Sequence, residues 1–146
     1  MKIFLDTSSL FKLYHREADT AIIEKIFSIA NITSVYLSEI TKIEFASSIW
    51  KKVRTSEITE AEAKTTLELF ETDYTKYCFV ATDSIIIEQA KIMVSKYGLK
   101  GLRTLDSIQL STAITLEPEV SLFITSDNLL KSLLTEEGLQ TEIPNS

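Results

Sequence analysis

The chain has 146 residues, 45% hydrophobic and 25% charged, which is the composition of an ordinary globular domain. One cysteine, Cys78, excludes an internal disulfide, and one histidine, His15, excludes a site that needs two imidazoles. The net charge of -6 argues against a protein that coats nucleic acid, but an enzyme that cuts nucleic acid at a bound cation tolerates it. No apolar run approaches the ~20 residues of a membrane span, and Asp6 interrupts the apolar start, so we expect a cytoplasmic protein with no membrane contact.

Strands and helices are predicted to alternate along the chain. Apolar runs predict strands at residues 2–6, 34–37, 77–81, 121–125 and 139–143. Helical spacing and capping signals predict helices at residues 8–14, 19–31, from a Ser38 cap to 54, from the capping box at 59–62 to about 74, and at 84–97, 104–116 and 128–137. Gly98, Pro118 and Gly138 are expected to end the last three. The alternation predicts an α/β sandwich, a parallel sheet with helices on both faces, in a single domain spanning residues 1–146.

Two aspartates follow predicted strands. Asp6 closes the first strand, and Asp127 comes just after the fourth. Ligands of open α/β sheets gather beyond the carboxyl ends of the strands, so both acids are candidates for a site. Each could equally be a helix N-cap, a common role for aspartate. For each aspartate taken alone, the sequence does not favour the ligand interpretation over the N-cap interpretation.

Two further acids lie on helices with apolar surroundings. Asp106 shares a row with Leu102 and Leu110 on a helix that is apolar nearly all round, where an unpaired carboxylate is costly. The alternative is a first-turn acid favoured by the helix dipole. Glu44 stands beside Ile43 and Phe45, and alone it reads as an edge residue with its carboxylate in water.

Together the four acids predict one acidic pocket. Unpaired carboxylates that converge would repel one another, so a cation is expected among them. A pocket of oxygen ligands with no cysteine and hardly any histidine suits hard cations such as Mg²⁺ or Mn²⁺. Such ions activate water and stabilise charge on a phosphoryl group, which is the chemistry of phosphodiester hydrolysis.

Four segments, in chain order, resemble those of PIN domains. They are the opening IFLDTS at 3–8, the helical glutamate in TKIEFA at 41–46, the central aspartate in LRTLDSIQLSTA at 102–113, and the TSD step at 125–127. Each is unspecific alone, but all four in order span almost the whole chain. Ser107 and Gln109 stand where small residues or histidine are common in that family.

The resemblance implies a PIN-like three-layer sandwich with a central five-stranded parallel sheet. It implies that Asp6, Glu44, Asp106 and Asp127 hold one or two Mg²⁺ or Mn²⁺ ions and catalyse endonucleolytic cleavage of RNA. Small stand-alone members are mostly VapC toxins, so a VapB-like antitoxin and a homodimer are expected partners. The supporting hydroxyls that orient the acids would be those of Thr7, Ser8 and Thr125.

Basic and apolar residues suggest further contacts. Arg103, three residues from Asp106, is the preferred candidate for an RNA-phosphate contact, while Lys51 and Lys52 fit a solvated helix end at least as well. A surplus of apolar residues on the first helices suggests a groove between the second helix and the Glu44 helix. In the toxins that the chain resembles, an antitoxin helix fills such a groove and directs an arginine to the acidic pocket.

Three alternatives compete with a toxin ribonuclease. The chain could be a non-catalytic PIN-fold binding module, although all four acids are present. It could be a PIN nuclease acting in RNA processing without an antitoxin. An aspartyl-phosphate enzyme that uses Asp6 as nucleophile is disfavoured, because the haloacid dehalogenase type needs an acid where this chain has Ser8.

Overall fold

The computed structural model describes residues 1–17 and 20–143. The predicted helix start at Asp19 lies outside them. Within them the chain forms four strands, β1 (Lys2–Leu5), β2 (Ser34–Ser38), β3 (Tyr77–Val80) and β4 (Leu122–Ile124). Seven α-helices accompany the strands: α1 (Thr7–Tyr14), α2 (Thr20–Ile29), α3 (Thr41–Arg54), α4 (Glu60–Thr72), α5 (Ser84–Tyr97), α6 (Thr104–Leu116) and α7 (Asn128–Glu136). Short 3₁₀ turns at Asp73–Lys76 and Gly98–Lys100 precede β3 and α6.

The strands form one parallel sheet in the order β3-β2-β1-β4. β1 is central, and its Ile3 pairs with Val35 of β2 on one side and with Leu122 of β4 on the other. Because β1 and β4 are parallel neighbours, their carboxyl ends meet at one edge of the sheet. The residues just beyond that edge include Asp6 and Asp127.

Alternate residues of the central strand enter two different cores. Phe4 packs with Phe123 and with buried residues of α5, α6 and α7 on one face. Ile3 and Leu5 pack with buried residues of α1 to α4 on the other face. This period-2 burial produces the predicted sandwich of helices on both faces of a parallel sheet.

The predicted fifth strand at residues 139–143 is wrong for this structure. Among the described residues the sheet has four strands, and this segment makes one backbone hydrogen bond to β4, from Phe123 N–H to the Gln140 carbonyl, at 2.9 Å. The Gln140 side chain turns back to donate to the carbonyl of Glu142, whose carboxylate pairs with Lys131 at 2.8 Å. The segment therefore runs beside the sheet edge without pairing as a strand.

One predicted helix boundary is also corrected. Ser38 does not cap α3 but ends β2, and its hydroxyl accepts from Ile40 N–H at 3.3 Å, one residue before α3 begins. The predicted end of α5 is confirmed, because the helix ends at Tyr97 with Gly98 as its C-cap, and the chain then turns at Gly101, whose φ of 94° favours glycine. The capping box is confirmed, because Thr59 accepts from Glu62 N–H and the Glu62 carboxylate accepts from Thr59 N–H, each at 3.1 Å.

The apolar residues expected to line a groove between α2 and α3 mostly serve the core. Leu10 and Ile49 are buried, and Leu13, Tyr14, Ile26, Phe27, Trp50 and Val53 are partly buried against the same core. The cavity seen on α2 instead has about 390 Å³ and opens toward the ends of β4 and α7 and residues 141–143. Separately, no helix in the described part of the chain has the length and hydropathy to cross a membrane.

Candidate functional site

The four predicted acids line a single cavity of about 570 Å³ at the carboxyl edge of the sheet. Asp6 comes from the end of β1, Glu44 from the first turn of α3, Asp106 from the first turn of α6 and Asp127 from the N-cap of α7. The structure therefore brings together all four acids that the sequence singled out. Their binding of a metal ion stays a prediction.

Asp6 is the most buried of the four, with 4% of its surface exposed. Its Oδ1 accepts the α1 capping bond from Ser9 N–H at 3.0 Å, and its Oδ2 accepts from Thr125 Oγ1 at 2.6 Å. The Ser8 hydroxyl is within 2.9 Å of both oxygens. Burial raises the pKa of Asp6 to about 6, and the hydrogen bonds from Thr125, Ser9 and Ser8 oppose that rise.

Asp106 experiences the other acids directly. Burial raises its pKa, and the negative charges of Asp127 and Glu44 raise it further, whereas the positive charge of Arg103 lowers it. The charges of Asp127 and Glu44 therefore act on Asp106 across the cavity. A positive charge near Asp106 would favour its ionised form beside these two carboxylates.

Glu44 is fixed by neutral donors. Thr7 Oγ1 and Gln109 Nε2 each donate to Glu44 Oε1 at 2.8 Å. Thr41 completes the cluster, because both Thr7 Oγ1 and Gln109 Nε2 lie 3.1 Å from its hydroxyl. Two hydrogen bonds to one carboxylate oxygen fix the direction of the carboxylate.

The three hydroxyls expected to support the acids contact them as follows. Thr7 donates to Glu44, while Ser8 and Thr125 donate to Asp6. Thr125 also accepts from Asp127 N–H at 3.0 Å, so one hydroxyl connects the two strand-end aspartates. Any catalytic contribution from these hydroxyls stays a prediction.

Lysines form another part of the same cavity wall. Lys12, Lys51 and Lys52 line it together with Glu17 and Glu57. Lys52 pairs with Glu57 at 2.8 Å, whereas exposed Lys51 has no ion-pair partner among the described residues. The cavity thus has carboxylates at the sheet edge and ammonium groups on α1 and α3.

Arg103 is exposed and is not part of the cavity lining, so its contact with RNA stays a prediction.

The donor set fits a hard divalent cation. Its members are carboxylate oxygens, and the pKa of Asp106 is raised by burial and then by the negative charges of Asp127 and Glu44. Within residues 1–17 and 20–143, no three His, Cys, Asp or Glu side chains are already grouped tightly enough to hold an ion. The carboxylates would therefore have to draw inward to bind one.

Sequence reasoning underestimated two groups at this site. Gln109 follows Asp106 by three residues, which places both on one face of α6, and an amide on so apolar a helix was a usable signal. Lys51 and Lys52 lie seven and eight residues after Glu44, two turns along α3. That spacing could have indicated that they share the cavity with Glu44.

An α/β fold with four acids at the carboxyl edge of a parallel sheet narrows the possible families. The sequence matches the PIN domain family over residues 3–133. The chain belongs to the PIN-domain family, which confirms the resemblance seen in its four acidic segments. No curated protein matches the sequence.

Solved structures of VapC-type toxins share the fold at low sequence identity. VapC20 of Mycobacterium tuberculosis, a sarcin-ricin loop cleaving toxin, aligns with a TM-score of 0.72 at 14% identity, covering 97% of this chain and 99% of that one. FitAcB from Neisseria gonorrhoeae gives 0.65 at 17% identity and 95% of each chain. VapBC2 from Rickettsia felis, bound to a DNA fragment from its promoter, gives 0.63 at 14% identity, covering 97% and 98%. At these identities the likeness establishes the fold.

Proposed function

We propose that this PIN domain is a metal-dependent endoribonuclease that hydrolyses RNA phosphodiester bonds. The observation that carries the proposal is the single cavity lined by Asp6, Glu44, Asp106 and Asp127. Gathering four carboxylates in one pocket costs free energy, and a bound hard cation would offset that cost. Mg²⁺ and Mn²⁺ are the proposed cofactors.

The four acids would hold the cation. When bound, it would supply Lewis-acid polarisation of the phosphate and lower the pKa of a coordinated water. Ser8 and Thr125 keep Asp6 oriented, and Thr7 and Gln109 do the same for Glu44. These hydrogen bonds fix the directions of Asp6 and Glu44, and the four acids would still move closer together when a metal binds.

The lysines of the cavity would bind the RNA backbone. Phosphates flanking the cleaved bond carry negative charge that the acid end of the cavity repels. Lys51, exposed on α3 within the same cavity, supplies an ammonium group for one of them. This arrangement lets a chain of net charge -6 bind a polyanion locally.

We also propose that the protein is the cytoplasmic toxin of a toxin–antitoxin pair and works as a homodimer. VapBC2 and FitAcB, which share its fold, support a VapB-like antitoxin as partner. The apolar cavity on α2, with Ile22 and Ile29 largely exposed, offers a surface for such a partner. An antitoxin arginine reaching the four acids would neutralise them in place of the metal.

A metal-dependent cleavage assay tests the enzymatic proposal. The purified chain is incubated with structured RNA, including a sarcin–ricin loop oligonucleotide, in Mg²⁺, in Mn²⁺ and in EDTA, beside Asp6→Asn. We expect cleavage in either metal, none in EDTA and none by the variant. Absence of cleavage by the wild type in both metals would favour the non-catalytic binding module.

The antitoxin proposal has its own test. Mixing the chain with the product of a small neighbouring reading frame and measuring mass by light scattering should show a complex that no longer cleaves RNA. Cleavage without any inhibiting partner would favour a PIN nuclease that acts in RNA processing.

A further inference from the structure

The side-chain amide of Gln109 lies at the centre of the Glu44 cluster. Gln109 is one turn beyond Asp106 on α6, and 2% of its surface is exposed. Its Nε2 is 2.8 Å from Glu44 Oε1 and 3.1 Å from the hydroxyl oxygens of both Thr7 and Thr41. Its Oε1 is buried and has no hydrogen-bond partner among the described residues.

The orientation of this amide follows from its neighbours. The Glu44 carboxylate can only accept, so the amide must turn its NH₂ group toward it. Rotating the amide by half a turn would place two electronegative oxygens against each other. The buried Oε1 therefore remains without a donor, because the alternative orientation is worse.

The donors of the cluster converge on one oxygen of Glu44. The Thr7 hydroxyl has two acceptors in reach, Glu44 Oε1 at 2.8 Å and Thr41 Oγ1 at 3.1 Å, and the shorter contact is the one to the carboxylate. The Gln109 NH₂ group is 2.8 Å from Glu44 Oε1 and 3.1 Å from both threonine hydroxyls. Glu44 Oε1 then receives two hydrogen bonds. Glu44 Oε2 has no partner among the described residues and is the oxygen left for a ligand.

We infer that Gln109 is a positioning residue, which holds Glu44 by Oε1 so that Oε2 would be the oxygen available to a cation bound in the cavity. The inference rests on the proposed nuclease function for the cation, but the positioning of Glu44 is a property of the metal-free protein. A purely structural Gln109 would instead fill space in the core without affecting the direction of Glu44.

Substitutions at Gln109 separate these two roles. Gln109→Met keeps the length of the side chain and removes both donors. Gln109→Asn keeps the amide but is one methylene shorter, so its N–H groups cannot reach Glu44. Gln109→His restores one N–H donor. The control is Thr112→Val, a buried position on the same helix whose hydroxyl donates only to the Ile108 carbonyl.

Two readouts are needed, one of them without metal. Crystal structures of the metal-free variants should show Glu44 displaced in Gln109→Met and Gln109→Asn, and in place in Gln109→His and Thr112→Val. Calorimetric Mn²⁺ titration should show affinity falling about 10–100-fold for the first two, the range expected when a residue that orients a metal ligand is lost. Gln109→His should recover most of it, and Thr112→Val should match the wild type.

The outcomes separate this inference from the nuclease proposal. If Gln109→Met fails to fold, Gln109→Asn and Gln109→His still give the comparison, because both retain a polar group. Glu44 unmoved in Gln109→Asn, with Mn²⁺ affinity equal to that of the wild type, would overturn the inference. A displaced Glu44 in a protein whose wild type neither binds Mn²⁺ nor cleaves RNA would uphold the positioning role and refute the nuclease.

Discussion

Asp6 should make the metal-free protein less stable at neutral pH than at mildly acidic pH. Burial raises its pKa from 3.8 to about 6, so between those values the folded protein keeps a proton that the unfolded chain has lost. Its contribution to stability is complete below the unfolded pKa and disappears as pH rises through about 6. The difference in pKa corresponds to about 3 kcal/mol, of which about 2.5 kcal/mol is lost from about pH 4 to about pH 8.

Urea denaturation in EDTA across that pH range, for wild type and Asp6→Asn, measures this contribution. Carboxylates with lowered pKa, such as Glu57 and Glu137, titrate alike in both proteins, so the difference in unfolding free energy isolates Asp6. The amide accepts fewer hydrogen bonds from Ser8 and Thr125, which shifts the difference by an amount independent of pH. We expect the difference to move in favour of the variant by about 2.5 kcal/mol as pH rises.

A difference that stays constant with pH would refute this account of Asp6. Added Mn²⁺ gives a second check, because a ligand that binds only the folded state stabilises it. At neutral pH, Mn²⁺ should raise the stability of the wild type and have little effect on Asp6→Asn. Equal stabilisation of both proteins would place the cation elsewhere.

Three further predictions concern the same cavity. Asp106→Asn should abolish cleavage, retain the circular dichroism of the fold, and raise the metal-free melting temperature by relieving repulsion; full activity would contradict its role. Asp127→Asn should also abolish cleavage while keeping the α7 cap, whereas Asp127→Ala should in addition lose about 1 kcal/mol in urea denaturation. In the inactive Asp106→Asn background, Lys51→Ala should weaken RNA binding and reduce the slope of log affinity against log salt concentration by about 0.7. The control is Lys64→Ala, at an exposed position of α4, which should change neither quantity. Equal effects at both lysines would indicate a diffuse charge effect.

The sandwich was predictable because its signals are local. Buried strands appear as short apolar runs, and the Thr59 capping box marks the start of α4 within four residues. The convergence of the four acids on one cavity was predictable for a related reason. Strand ends and the first turns of the helices that follow place side chains at one edge of a parallel sheet. In each case the sequence near the residue determines its position.

The errors arose where distant contacts decide the structure. Residues 139–143 begin and end with an apolar residue, as a short strand can, but one backbone bond to Phe123 joins them to β4 and they do not extend the sheet. The contact of Gln109 with Thr7 spans 102 residues, so no local pattern contains it. The placement of Lys12 in one cavity with Lys51 and Lys52 likewise depends on how α1 packs against α3. Spacing along one helix can suggest such neighbours, but only the packing establishes them.

The cap and ligand interpretations of the strand-end aspartates proved not to exclude each other. Asp6 caps α1 through Oδ1, and Asp127 caps α7 through Oδ1, which accepts from Leu130 N–H at 2.7 Å. A capping bond uses one carboxylate oxygen and fixes the plane of the carboxyl group, so the second oxygen is directed by the helix start. In Asp6 that second oxygen accepts hydrogen bonds from the hydroxyls of Thr125 and Ser8. In Asp127 the second oxygen has no partner among the described residues. Two caps on neighbouring strands therefore orient two carboxylates at the cavity before any cation binds, and the helix N-termini lessen the cost of their negative charge.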